Sequence, residues 1–292
     1  GYANGQFFSS TVSEGSEDYQ PGKTGSNPDD TLNIIYVVKK DDTPFSSSWQ
    51  KWKEAVLLGA DFYDGNGDSY YNPIDRNYNG TWDLNEDMHP LLGDEIAWCF
   101  YNDGVPANQR LYNVSPIGIN IQQTLFAKNN PDLENVIFIK YKIENTGIVD
   151  DVLDSVFFSP WDDTDLGWPT DDLSGCDIVL NSIITYNFND DEQYGINPPA
   201  IFTKVIQGPV INTSETNDTA FIKSGVLLGE KRMQGYKNLG LFSFAGYGKN
   251  SPTQSFPGTL QYVHNYIFGL DGVGNTLNPC DTLWGKVYGN VD

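Results

Sequence analysis

The residues of this chain whose types and spacing can do chemistry lie between Asp61 and Asp87, in the stretch DFYDGNGDSYYNPIDRNYNGTWDLNED. Asp75, Asn77, Asn79, Gly80, Thr81, Asp83 and Glu86 stand at positions 1, 3, 5, 6, 7, 9 and 12 of a D-x-[DN]-x-[DN]-G-x5-E loop, the pattern that wraps Ca²⁺ in oxygen ligands. Asp75, Asn77 and Asn79 offer side-chain oxygens from alternate positions, Gly80 permits the sharp turn and Thr81 presents its carbonyl. Asp83 acts directly or through water, and Glu86 can close the shell with both oxygens. Immediately upstream, Asp64, Asn66, Asp68, Tyr70 and Asp75 fall at positions 1, 3, 5, 7 and 12 of a second loop, so Asp75 would end one loop and begin the next. That loop departs from the pattern at Ser69, which replaces the turn glycine, and at Asp75, which reaches less far than a glutamate would.

A second set of carboxylates crowds the segment WDDTDLGWPTDDLSGCD, where Asp162, Asp163, Asp165, Asp171, Asp172 and Asp177 repel one another unless solvent or a cation screens them. No ligand register is enforced there, so a solvated acidic loop and a further calcium site are equally good readings. Trp161 and Trp168 beside these acids also describe a sugar-binding shelf, with rings stacking on pyranose faces and carboxylates taking hydroxyls; packing is the blander role for both rings.

Catalysis has little to stand on. His89 and His264 are the only histidines, neither sits in an H-E-x-x-H context, and there is no G-x-S-x-G elbow or Gly-rich phosphate loop after a strand. With 39 acidic residues, a carboxylate pair could still hydrolyse glycosides. The expectation is nevertheless a protein that is not an enzyme.

Composition sets the frame for these residues. The 292-residue chain carries a formal charge of −22, and its few basic residues form no stripe, which argues against nucleic-acid binding. So many carboxylates repel one another in the folded state, and bound divalent cations would relieve that repulsion. No apolar run reaches the ~18 residues that a membrane span needs. Cys99, Cys176 and Cys280 are too few for a disulfide scaffold, and at most one bridge could form. Cys99 lies among aromatic residues, where a buried, inert thiol is expected. The sequence opens at Gly1 without a basic-then-apolar leader, as a mature secreted chain would.

The elements that must position these residues are mostly strands. Residues 1–31 are rich in Gly, Ser, Asp and Pro and read as an extended N-terminal arm, whose Gln6–Val12 piece is a candidate strand donor to the sheet edge of a second copy. Residues 32–110 hold a strand at Asn33–Lys39, a short helix near 48–58, the calcium loops and a strand at Glu95–Asn102. Ser47 and Gln50 suggest a capping box for that helix and Gly59 its C′ residue. From 111 to 292 the pattern is almost wholly β, with strands expected over residues 118–127, 135–147, 154–161, 177–188, 199–211, 219–229 and 238–247. A second short helix is expected within 259–268. With no helical crossovers, the expected fold is an all-β antiparallel β-sandwich with two short helices and a calcium-loop insertion. The 111–292 region and the 32–110 region could form one domain.

No amphipathic helices flank the loop pair, because Tyr70, Tyr71 and Pro73 lie between the loops and Pro90 follows, so the pair resembles the structural calcium loops of dockerins and thrombospondin type 3 repeats. The stretches GADFYDGNGD with YNP, GDEIAWCFYNDG, IGINIQQTLFA, LENVIFIKYKIENTG, WDDTDLG to DDLSGCD, YG-x-NPPA and QGP, spread over roughly residues 33–270, resemble large secreted β-rich surface proteins of Bacteroidota and Ignavibacteria-type bacteria exported by the type IX secretion system. Such proteins usually continue into further β-modules and a C-terminal sorting domain, whereas this sequence ends at Asp292. The resemblance implies a secreted, extracellular or surface-attached protein and no particular activity. Taken together, the expectation is a calcium-stabilised structural or adhesive cell-surface protein that assembles with copies of itself into a filament or layer. The alternatives are a polysaccharide-binding module for cell-surface glycans and, behind it, a carboxylate glycoside hydrolase.

Overall fold

Residues 3, 7–9, 12–16, 18–177, 179–246 and 257–276 are described by the computed structural model. They fall into two units, Gly1–Asp154 with Ser224–Gly229, and Ser155–Lys223 with Glu230–Asp292. The division leaves residues on both sides of 110 in one sheet, because a strand ending at Asn102 pairs along its whole length with one that begins at Ile119.

In the first unit, β1 (Phe7–Ser9) pairs antiparallel with β2 (Val12–Ser16). Part of the candidate donor strand is therefore paired locally, while Gln6, Ser10 and Thr11 lie outside the described residues. After β3 (Gln20–Pro21) and β4 (Tyr36–Lys39), helix α1 spans Ser47–Leu58. Gly59 ends α1 at φ 116°, a conformation that a Cβ disfavours, and its amide closes onto Ala55 and Val56. The expected capping box does not form. Ser46 takes the N-cap position without a side-chain cap bond, and the Gln50 amide turns instead to the carbonyls of Phe45 and Pro73, at 3.3 and 2.8 Å.

Strands β5 (Glu95–Asn102), β6 (Ile119–Ala127) and β7 (Ile137–Asn145) complete an antiparallel sheet in which β3 and β4 pair end to end along one side of β5. Period-2 alternation aims Ile96, Trp98 and Phe100 at α1, where they bury Tyr36, Val38, Trp52 and Ala55 in one core. The register puts Cys99, Ile121, Leu125, Ile139, Tyr141 and Ile143 on the opposite face.

The second unit carries smaller antiparallel sheets: β8 (Asp172–Asp177), β9 (Ser182–Asn187) and β10 (Ala200–Lys204) in the order β10-β9-β8, β11 (Val210–Asn212) with β14 (Tyr236–Asn238), and β12 (Thr219–Ser224) with β13 (Gly229–Gln234). Helix α2 occupies Leu260–Ile267, and Thr259 accepts the Tyr262 amide as its N-cap. Among the described residues two expected strands are absent. Residues 154–161 and 239–246 form no ladder, and Phe157 and Phe242 from these stretches instead meet each other and Phe268 edge-on or tilted at 5.2 to 6.3 Å. Part of the acidic segment read as loop is instead strand β8, which pairs with β9 residue for residue and buries Cys176.

The described residues are strand-rich, with antiparallel sheets and two α-helices. Among the described residues no helix is long and apolar enough to cross a membrane.

Candidate calcium site

The loop pair is held against α1 by its backbone as much as by its side chains. Trp52 Nε1 donates to Asp61 O at 3.2 Å, the Tyr71 hydroxyl to Trp49 O at 3.1 Å, and Lys53 Nζ to Asn72 Oδ1 at 3.1 Å. Tyr63 and Met88 exchange backbone hydrogen bonds of 2.7 and 3.1 Å, which closes the segment into a ring of chain between α1 and β5.

Within the second loop, Asp75 accepts the amides of Asn79 at 3.1 Å and Gly80 at 2.7 Å, Asn77 Oδ1 accepts the Asn79 amide, and Asn79 Oδ1 accepts both the amide and the hydroxyl of Thr81. Gly80 sits at φ 77°, as the sixth position of the pattern requires. Asp83 Oδ2 receives the side-chain amides of Asn77 and Asn79 at 2.7 and 2.9 Å. Glu86 is wholly buried, and its carboxylate takes the Arg76 amide at 2.6 Å and the Asp83 amide at 3.0 Å.

In the first loop, Asp64 accepts the amides of Gly67, Asp68 and Ser69, Asn66 Oδ1 that of Asp68, and Asp68 Oδ1 that of Tyr70, all at 2.7 to 3.2 Å. Ser69 adopts φ 65° and so makes the turn despite its Cβ. Among the described residues no three His, Cys, Asp or Glu side chains stand together closely enough to hold a metal by themselves. The expected donor set is mixed, and most of it is not of those types: Asn77, Asn79 and the Thr81 carbonyl beside Asp75, Asp83 and Glu86.

Two residues outside the loop pattern, Asp87 and His89, matter here. Asp87, almost fully buried, accepts the amides of Gly65 at 3.2 Å and Asn72 at 2.8 Å. His89 is buried edge-on against Trp49 at 4.9 Å, with Nδ1 2.8 Å from Pro90 O, and burial holds its imidazole below the usual range. Its adjacency to the loops was visible in the sequence; its enclosure was not.

The acidic segment of the second unit is arranged differently. Asp171 and Asp172 both accept from the Asn187 side-chain amide, at 3.3 and 3.1 Å, and Asp172 also takes the Leu166 amide. Asp162 bonds the hydroxyls of Thr164 and Thr203, and Asp177 takes the Leu180 amide within its own turn. Burial raises the Asp163 carboxyl above its usual range, helped by Asp165 and Asp162. Asp172 is raised by burial as well, with Asp171, Asp165 and Asp191 adding to it and the Leu166 amide opposing. Asp191, unremarked in the sequence, is buried and receives the amides of Trp168, Gln193 and Tyr194; the Trp168 bond is the largest of the contacts that hold its carboxyl low. Trp161 and Trp168 are both exposed over nearly half their surface.

No protein-family model, curated protein or solved structure matches this chain.

Proposed function

We propose that this chain is a secreted, calcium-stabilised β-sandwich protein with a structural or adhesive role at a cell surface, assembling with copies of itself. The observation that carries the calcium reading is Glu86: a wholly buried carboxylate at position 12 of a complete calcium-loop register, with no Lys, Arg or His in an ion pair with it among the described residues. A buried charge is retained when it is paired or when it coordinates a metal. Ca²⁺ bound by Asp75, Asn77, Asn79, Thr81, Asp83 and Glu86 supplies positive charge there and staples the chain between α1 and β5, adding its binding free energy to folding.

The sandwich reading is supported by the second face of the β5–β6–β7 sheet, which carries Ile121, Leu125, Ile139 and Tyr141 as an inner face would. Assembly is supported by β7, which pairs only with β6 among the described strands and so leaves an open strand edge. Melting the protein with calcium and with a chelator tests the metal: coincident curves remove it. Negative-stain imaging of the intact chain beside one lacking residues 1–12 tests assembly through the arm, and equal polymerisation of the two makes the arm only a tail.

One observation favours a second reading, binding of a polysaccharide: Trp161 and Trp168 are half exposed beside Asp162 and Asp191. A glycan array read with and without Trp161→Ala and Trp168→Ala separates the two, since a purely structural protein retains no sugar. Hydrolysis, for which the raised Asp163 carboxyl would be the acid, is tested by release of reducing sugar.

A further inference from the structure

The two loops follow one backbone path. Positions 4 and 6 are left-handed in both, at Gly67 (φ 75°) and Ser69 (φ 65°) in the first and at Tyr78 (φ 62°) and Gly80 (φ 77°) in the second. In the second loop the closing carboxylate is the one that receives the amides of position 2, Arg76, and position 9, Asp83. The equivalent amides of the first loop belong to Gly65 and Asn72, and they donate to Asp87, at 3.2 and 2.8 Å. Asp75, twelfth in the first loop by sequence, directs both carboxylate oxygens to amides of its own second loop, those of Asn79 and Gly80.

We propose that Asp87, and not Asp75, closes the first loop, so that Asp64–Asp87 holds two divalent cations whose closing acids are the consecutive residues Glu86 and Asp87. This rests on the calcium reading above. The first site then takes oxygens from Asp64, Asn66, Asp68, the Tyr70 carbonyl and Asp87, a hard-cation set of calcium type.

Two observations independent of the amide pattern point the same way. Glu86 and Asp87 are 0% and 1% exposed, and neither forms an ion pair with any described residue, so two adjacent carboxylates are buried without a cation from the chain. Such charges are expensive unless paired or metal-bound, and one cation would leave the other carboxylate uncompensated. The first loop also touches this segment directly: a Cβ on Gly65 would lie 2.2 Å from Glu86 O, so glycine at position 2 lets the loop reach the Glu86–Asp87 backbone. That approach removes the reach problem of an aspartate closing the loop from its own twelfth position.

Calcium titration calorimetry of the full chain and three variants decides it. The intact protein is expected to bind two Ca²⁺; Asp75→Asn loses the second site and keeps one, Asp87→Asn loses the first and keeps one, and the double variant binds none. If Asp75 closes the first loop as well as opening the second, Asp75→Asn abolishes both sites while Asp87→Asn leaves two, and the proposal is wrong. A single site in the intact protein that Asp87→Asn leaves untouched also overturns it but preserves the calcium reading, whereas no binding at all overturns both. Because Asp75→Asn alone separates the schemes, the test survives a failure of Asp87→Asn to fold.

Discussion

Two places where the first unit buries carboxylates handle them in opposite ways. Asp103 lies with its side chain fully enclosed, takes the amides of Ile117, Gly118 and Ile119 at 2.6 to 3.0 Å, and meets the equally enclosed Arg110 guanidinium at 3.2 Å. Arg110 is itself spread over carbonyls, donating to Val105 O at 2.8 Å and to Asp18 O at 3.4 Å. Glu86 and Asp87 receive backbone amides in the same manner but, among the described residues, no guanidinium or ammonium. Backbone dipoles solvate a buried anion and do not cancel its charge, so one site holds its own counter-charge, and on the calcium reading proposed above the other takes a cation from solution.

The sharpest way to break that contrast is Arg110→Met, which leaves Asp103 buried and uncompensated. It should cost about 3–5 kcal/mol, and the loss measured by denaturant unfolding should be the same with calcium or chelator present. Removing calcium should do the reverse. At free calcium ~100-fold above Kd the bound ion contributes about 3 kcal/mol, so chelation should lower Tm by on the order of 5–10 °C in intact protein and in Arg110→Met alike. Glu86→Gln should erase the second loop's share of that calcium-dependent difference, since it forfeits charge and half of a bidentate contact.

A smaller effect comes from His89, next to the same segment. Burial lowers its folded pKa below 6.5, with the Pro90 carbonyl and Asp42 partly opposing, so below that pH the unfolded chain binds more protons than the folded one. Stability should therefore fall as pH drops below about 6.5, by up to about 1.4 kcal/mol per unit, and His89→Phe should flatten that slope in melts run with chelator. The smallest expected signal is at the thiols. Burial raises Cys99, and burial with Asp177 raises Cys176, so neither should be labelled quickly by a thiol reagent at neutral pH in the native protein; rapid labelling of Cys176 would show that its strand opens. Cys280 lies outside the described residues.

The acidic segment of the second unit extends the contrast. Asp171 and Asp172 share an asparagine, Asp162 takes hydroxyls and Asp177 caps a turn, so its carboxylates are dispersed among neutral donors and not gathered on a loop register. An equal number of Asp in two stretches thus meets two different arrangements of donors, and the difference lies in spacing.

Spacing is also what made much of the molecule legible beforehand. The turn of the second loop could be read because its pattern residues follow one another along the chain, and α1, β5 and α2 because apolar periodicity and Gly59 mark them locally. The alternation of Ile96, Trp98 and Phe100 identified the buried face of a strand before any partner was known. What tertiary structure alone decided are the features that depend on residues distant in sequence. Strand β8 forms from Asp172–Asp177, a segment of poor strand formers, because β9 supplies its ladder, while the apolar stretches 154–161 and 239–246 find no ladder partner among the described residues and set Phe157 and Phe242 against Phe268. Arg110 finds Asp103 because the chain turns back between β5 and β6, and Asp87 reaches the Gly65 and Asn72 amides because Gly65 lets two backbones touch. A local pattern records which atoms can bind; which of them meet is set by close approach of backbone across the fold, and no spacing along the chain encodes that.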